Sequence, residues 1–282
     1  MPDTSAFAIP AARGLSGIQG TLRVTVALQC WGVAGLRFLV AGDSPLSRMW
    51  SIAKGIDSSQ FVLVDQVIGG LLLACGVLCL TRPCWPVLIP LTVLFVGDAV
   101  APIGTDENWL AYPRAIAAAA TGAAPVALLL VDWYPPKARF SLARFLIAIA
   151  IVRYAVAMTF LSLGLLTIHE SRFAGPIAEV VAGIPQRMAD ASLSPDAVGW
   201  ALSLLGAIHF AFAMNIGTTR SRGIAASLAV WGLLWTAAPM FASGARGLLE
   251  LMQHFARVGL PIALVLYWMR SIEERGDVLR PS

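Results

Sequence analysis

Near the end of the chain, Glu250, His254 and Arg257 fall at i, i+4 and i+7. That spacing puts three side chains on one stripe of a helix. A carboxylate, an imidazole and a guanidinium so placed have the chemistry to hold an anionic or quinone-like headgroup. The imidazole changes charge near neutral pH and is suited to relaying a proton. The same stripe would also serve as self-satisfied polar glue between helices. Asp65, Asp98 and Arg114 form a second polar group in the first half, where an Asp–Arg pair fixing helix packing competes with a ligand site. Arg153 falls inside an apolar run and needs a partner, for which Glu250 is the carboxylate on offer. His209, in the middle of another run, supplies with His254 the two imidazoles a bis-His haem requires. Their depths differ by about five residues, or about 8 Å of helix rise, which argues for a hydrogen-bonded core histidine instead. His169 sits beside Glu170 with too few further ligands for a metal.

All these residues lie in or beside apolar runs that must position them. The 282 residues are 58% hydrophobic and 13% charged, with a mean hydropathy of +0.76; a soluble domain carries about 25% charged residues. Apolar spans are expected at 20–41, 61–81, 84–103, 109–131, 141–166, 197–217, 223–243 and 247–269, each near the roughly 20 residues a bilayer requires. Trp31, Trp85, Trp109, Trp133, Trp200 and Trp268 fall near span ends, as interface anchors do. Trp231 and Trp235, four apart within a span, suit either lipid-facing packing or the wall of a cavity for an aromatic or isoprenoid ligand. Two longer links, 42–60 and 167–196, carry mixed apolar and charged residues. Each suits a short amphipathic helix, lying on the bilayer surface or covering the mouth of the bundle.

Several classes are excluded. The only lysines, Lys54 and Lys137, fall between runs, so a retinal Schiff base has no residue. There is no glycine-rich phosphate loop and no basic cluster for nucleic acid. Cys30, Cys75, Cys79 and Cys84 lack Cys-x-x-Cys spacing. They read as small buried hydrophobes, with a redox pair as the alternative.

The two long links fall at matching places, which points to a repeat. Arg23–Leu28 resembles Arg153–Met158 at an offset of 130, Ala101-Pro102 resembles Ala238-Pro239 at 137, and Pro125–Leu130 resembles Pro261–Leu266 at 136. The expected fold is therefore an all-α membrane protein, eight transmembrane helices as two parallel four-helix repeats. It divides into a flexible tail (1–19), a first unit (20–134), a second unit (135–270) and a cytoplasmic tail (271–282). Lys and Arg in the span flanks favour the side of the termini by eleven to five. This places both termini in the cytoplasm of a multi-pass protein of the cell inner membrane.

A first helix with Leu22-Arg23-Val24-Thr25-Val26-Ala27-Leu28, a polar link, and a second helix with Gly69-Gly70-Leu71-Leu72-Leu73-Ala74-Cys75-Gly76 resemble the DoxX-like family of small four-helix membrane proteins. The resemblance covers most of 20–131 and, more faintly, 141–269; two units in one chain depart from the family's usual single unit. It implies a role beside the related DoxD proteins in quinone- or sulfur-linked membrane redox chemistry, as a subunit working with a redox partner protein. It supplies no catalytic residues, and no cofactor beyond a quinone is suggested. A small-solute transporter or channel, and a membrane scaffold for a partner protein, are the alternatives.

Overall fold

Backbone that crosses hydrocarbon finds no water for its N–H and C=O groups, so apolar runs of this length must satisfy them within helices. The computed structural model describes residues 9–42, 44–55, 58–105, 108–132, 142–173, 175–190 and 192–278, a few of them by backbone alone. Among these residues every regular element is helical. In chain order they are α1 (Ile9–Leu39), α2 (Pro45–Lys54), α3 (Val62–Thr81), α4 (Trp85–Thr105), α5 (Ala111–Ala117), α6 (Ala119–Val131), α7 (Leu142–Glu170), α8 (Pro176–Ala189), α9 (Pro195–Thr218), α10 (Arg222–Ser243), α11 (Ala245–Gln253) and α12 (Ala256–Val278).

Seven spans are long and apolar enough to cross a membrane: α1 from Leu15, α3, α4, α5 with α6, α7, α9 and α10. The pair α11 and α12, bent by 43° at a short break, is apolar and long enough only when taken together. Three sequence expectations need correction. Helix α1 begins at Ile9, inside the segment expected to be a tail, and α12 continues to Val278 across the expected boundary at 270. Helical hydrogen bonding tolerates polar residues once a nucleus exists, so hydropathy marks the membrane-length core and not the helix ends. The third correction is the bend at 254–255, in a run expected to be one straight helix. Trp133, Lys137 and Arg139 among the expected flanking residues lie outside the described residues.

Burial divides the helices. Over half of the α1 and α5–α6 spans is buried (56% each), against 22% for α4 and α10. The peripheral helices α3, α4, α9 and α10 display Leu71, Val93, Leu204, Val230 and Leu234, a continuous apolar skin suited to lipid and not to water. Inside, α1 packs along α3 and against α11 and α12, while α7 packs along α9 and against α5 and α6. Helix α2 rests on α4, and α8 on α10. Both amphipathic links are therefore helices that cover one end of the bundle, here called the link face.

Two breaks interrupt the central helices. At the first, Ala118 N donates to Ala115 O (3.2 Å) and Thr121 N to Ala118 O (2.9 Å); at the second, Phe255 N donates to Met252 O (3.2 Å) and Arg257 N to His254 O (3.0 Å). Each is a turn of tighter i→i−3 bonding, followed seven residues on by a proline, Pro125 or Pro261. The first break leaves Ala120 N to donate to Thr159 Oγ1 of α7 (3.1 Å). The second lies where Gly32 brings α1 against the backbone: a Cβ on Gly32 would sit 2.2 Å from Gln253 N. In a bilayer such close approach, not apolar burial, drives helix association.

Gly32→Val should therefore lower thermal stability in detergent by about 1–3 kcal/mol through overpacking. Gly20→Ala, on an exposed stretch of the same helix with nothing within 4 Å of the added carbon, should leave the unfolding temperature unchanged or slightly raised. Equal losses in both variants would show that α1 tolerates no added carbon anywhere, and the Gly32 contact would lose its special role.

Candidate functional site

Arg37 lies four residues from the end of the first apolar run (20–41), and sequence reasoning passed over it. In the fold it is 3% exposed and holds two carboxylates together. Its Nη1 donates to Asp65 Oδ1, and its Nη2 to both Asp98 oxygens (2.9 and 2.7 Å). Asp65 also accepts Gly42 N (2.9 Å) and the Ser44 hydroxyl (2.8 Å), while Ser44 Oγ accepts Ser47 N (3.2 Å) and so caps α2. One guanidinium thus ties α1, α3, α4 and α2 together at the link face. The expected partner of Asp65 and Asp98, Arg114, is not the one that holds them. The carboxylates on α3 and α4 face α1, whereas Arg114 on α5 lines two cavities farther in. The one signal available was that Arg37 and the two aspartates all fall at the same end of their spans.

The first cavity, about 400 Å³, lies beside this network. Its wall includes Arg37, Asp98, Phe95 and Pro102 on one side and Arg114, Arg246, Glu250, Gln253 and His254 on the other. The second, about 630 Å³, has two unlike walls. Arg114, Glu250, His254 and Arg257 supply most of the polar one, with Glu170 and Thr236 the other polar side chains of the lining. Ile177, Val180, Val181 and Ile184 of α8, Leu163 and Leu166 of α7, and Trp231, Leu234 and Trp235 of α10 supply the apolar one. The size lies within the 300–1,000 Å³ typical of ligand pockets, and few polar groups in an apolar wall is the usual composition of such sites. Arg114, Glu250 and His254 belong to both cavities.

The expected stripe of Glu250, His254 and Arg257 is not one helix face. Glu250 is on α11, His254 occupies the break, and Arg257 is in the first turn of α12. The three converge on the larger cavity nonetheless, because the bend turns both helices toward it. Glu250 pairs with Arg246 one turn away (3.1 Å). Among the described residues the Arg257 guanidinium has no hydrogen bond or ion pair, and His254 Nδ1 is buried without a partner.

Arg153 does not reach Glu250. It donates to the carbonyls of Ile216 (2.8 Å) and Gly217 (2.7 Å) at the end of α9, where free carbonyls and the negative end of the helix dipole both favour a cation. Arg23 does the same at the end of α3, donating to Leu80 O (3.4 Å) while pairing with Asp132 (2.5 Å). His209 is fully buried among Phe160, Trp231 and Trp235, with ring centroids 5.8, 5.9 and 4.7 Å away. Both its nitrogens lack partners, so the hydrogen-bonded core histidine expected from sequence is not observed. His169 stacks on Phe173 (4.7 Å), and its neighbour Glu170 accepts the first amides of α8, Ile177 N (2.7 Å) and Ala178 N (3.0 Å). Glu170 thereby caps a helix whose own N-cap, Gly175, has no side chain. The four cysteines are free thiols, and no group of three potential metal ligands occurs among the described residues.

No protein-family model, no curated protein and no solved structure matches the chain.

Breaking a buried ion pair by removing one partner costs about 3–5 kcal/mol, because the other charge is left unpaired. Arg37→Met strands two carboxylates and should give that full loss in detergent unfolding. Arg246→Gln, which removes the exposed partner of Glu250, should cost at most about 1 kcal/mol. Comparable unfolding temperatures for the two variants would remove Arg37 from its central place.

Proposed function

We propose that the protein is a quinone-binding membrane subunit of a redox system, with the larger cavity as the quinone site. The observation that carries this reading is Arg257: an arginine with no acceptor among the described residues, beside the unpartnered His254 Nδ1, on the polar wall of a largely apolar cavity. An arginine at a helix centre costs about 2.5–3.5 kcal/mol even on insertion-based scales, and a ligand carbonyl would supply the missing acceptor. The opposite wall of α8 and the α10 tryptophans suits an aromatic ring. Reduction of a bound quinone to quinol takes two electrons and two protons. The electrons would come from a redox partner protein, and His254 stands where it can pass a proton to a ring oxygen held by Arg257. A second reading, passage of a small solute, rests on the polar residues shared by the two cavities; substrate-dependent flux in liposomes would favour it.

The reading includes the duplicated architecture. Supporting it, Arg23 and Arg153 each hold the end of the second long helix of their half, at carbonyls 137 residues apart (Leu80 and Gly217). The first long helix of each half packs against the broken helix of the other. The bent pair α11–α12 then counts as the eighth span, and the charge bias puts both termini in the cytoplasm of the inner membrane.

Two experiments test these parts separately. A short-chain quinone titrated into detergent-purified protein should quench tryptophan fluorescence saturably, and Arg257→Gln should weaken it about tenfold or more, the loss of a charged hydrogen bond, with unfolding temperature unchanged. Absence of saturable quenching, together with no quinone detected by mass spectrometry of the purified protein, would remove the quinone reading. Reporter fusions at Ser282 and beside Asp106 should report opposite sides of the membrane; a shared side would sink the eight-span topology and leave the cavity chemistry intact.

A further inference from the structure

The quinone reading leaves open where a hydrophobic tail would go, and the lipid-facing surface of α10 offers a place. A groove of about 380 Å³ runs there, lined by Phe212 of α9 and by Ala226, Ser227, Val230, Trp231 and Leu234 of α10. Trp231 and Leu234 also line the larger cavity. Groove and cavity therefore meet at these two side chains, and Leu234 is 61% exposed at the junction. The polar wall comes close to the same point. A Cβ on Gly232 would lie 2.3 Å from the Arg257 carbonyl oxygen, so α10 and α12 touch backbone to backbone at this level. The unpartnered guanidinium thus belongs to the residue level with the groove mouth. From Leu234, near the middle of α10, back to Ser227 the groove follows the helix for about 10 Å of rise, away from the link face and toward the Arg222 end.

Resting on the quinone reading, we infer that this groove holds the isoprenoid tail of the same ligand, whose ring lies in the cavity against Arg257. The ligand then enters sideways from the bilayer, past Trp231 and Leu234, and does not need to pass the charged link face. Apart from the Ser227 hydroxyl and the Trp231 indole N–H, the groove lining is aliphatic or aromatic. An extended branched hydrocarbon fits such a surface, and a charged or hydrogen-bonding ligand segment does not.

The test compares a tail-less quinone with one carrying a short isoprenoid chain, both titrated into the full chain in the same detergent. Val230→Phe narrows the groove from a lipid-facing position where folding is not at stake. Val93→Phe, on the lipid face of α4, controls for added aromatic surface. The tailed quinone is expected to lose roughly tenfold in affinity in Val230→Phe, equivalent to about two buried methylenes. The tail-less quinone should be unaffected, and Val93→Phe should behave as wild type with both. Equal affinity of the tailed quinone for wild type and Val230→Phe would overturn the groove assignment while the cavity site stands. Binding of neither quinone to wild type would remove the cavity reading and the tail with it.

Discussion

A buried guanidinium between two carboxylates organises the first half of this molecule. In a low-dielectric interior an unpaired charge is costly, and a paired one demands good geometry and further hydrogen bonds. Both terminal nitrogens of Arg37 meet these demands, and only its Nε lacks a partner among the described residues. Asp98 takes one nitrogen with both oxygens, Asp65 takes the other, and Asp65 is itself bound by Gly42 N and Ser44. The network fixes where α2 starts and how α3 and α4 approach α1. Helices in lipid have no hydrophobic force to hold them together, so this polar clamp and the close backbone contacts at Gly32 and Gly232 do that work.

The second half solves the same packing problem differently. At the link face it has no arginine between aspartates among the described residues. The residues of α9 and α10 that face inward include Leu202, Leu205, His209, Leu228, Trp231 and Trp235. The ends of the halves are treated alike, with Arg23 and Arg153 each binding helix-terminal carbonyls, while their interiors diverge. The result is a smaller cavity beside the Arg37 ion pairs and a larger one walled mainly by apolar side chains of α7, α8 and α10. Arg114, Glu250 and His254 stand between them.

The helix breaks matter for the same reason. Each interrupts the i→i−4 ladder and frees backbone groups at membrane depth, which is tolerated only inside protein or along a cavity. The break at His254 lies on the wall of both cavities, and the break at Ala118 lines the smaller one. Bending α11 against α12 carries Glu250 and Arg257 onto a common wall that a straight helix would have set by spacing alone.

Hydropathy by itself located the seven helices of membrane length, since about 20 apolar residues in sequence are a bilayer's width whatever their partners. It also marked the two link helices through their mixed composition, and the paired placement of Arg23 and Arg153 through their shared offset. Most polar residues worth examining were legible too, because an ionisable group in an apolar run stands out; Arg37, near the end of its run where a cation is ordinary, did not. The partners of these residues were not legible. Asp65 and Asp98 turned to Arg37 and not Arg114, and Arg153 turned to backbone carbonyls and not Glu250. Which charges meet depends on helix rotation and on crossings between segments scores of residues apart. Apolar sequence constrains these weakly, because lipid and helix are equally greasy neighbours. The cavities, the bend at His254 and the groove on α10 likewise exist only where several helices fail to close against one another, and that is decided by the tertiary structure.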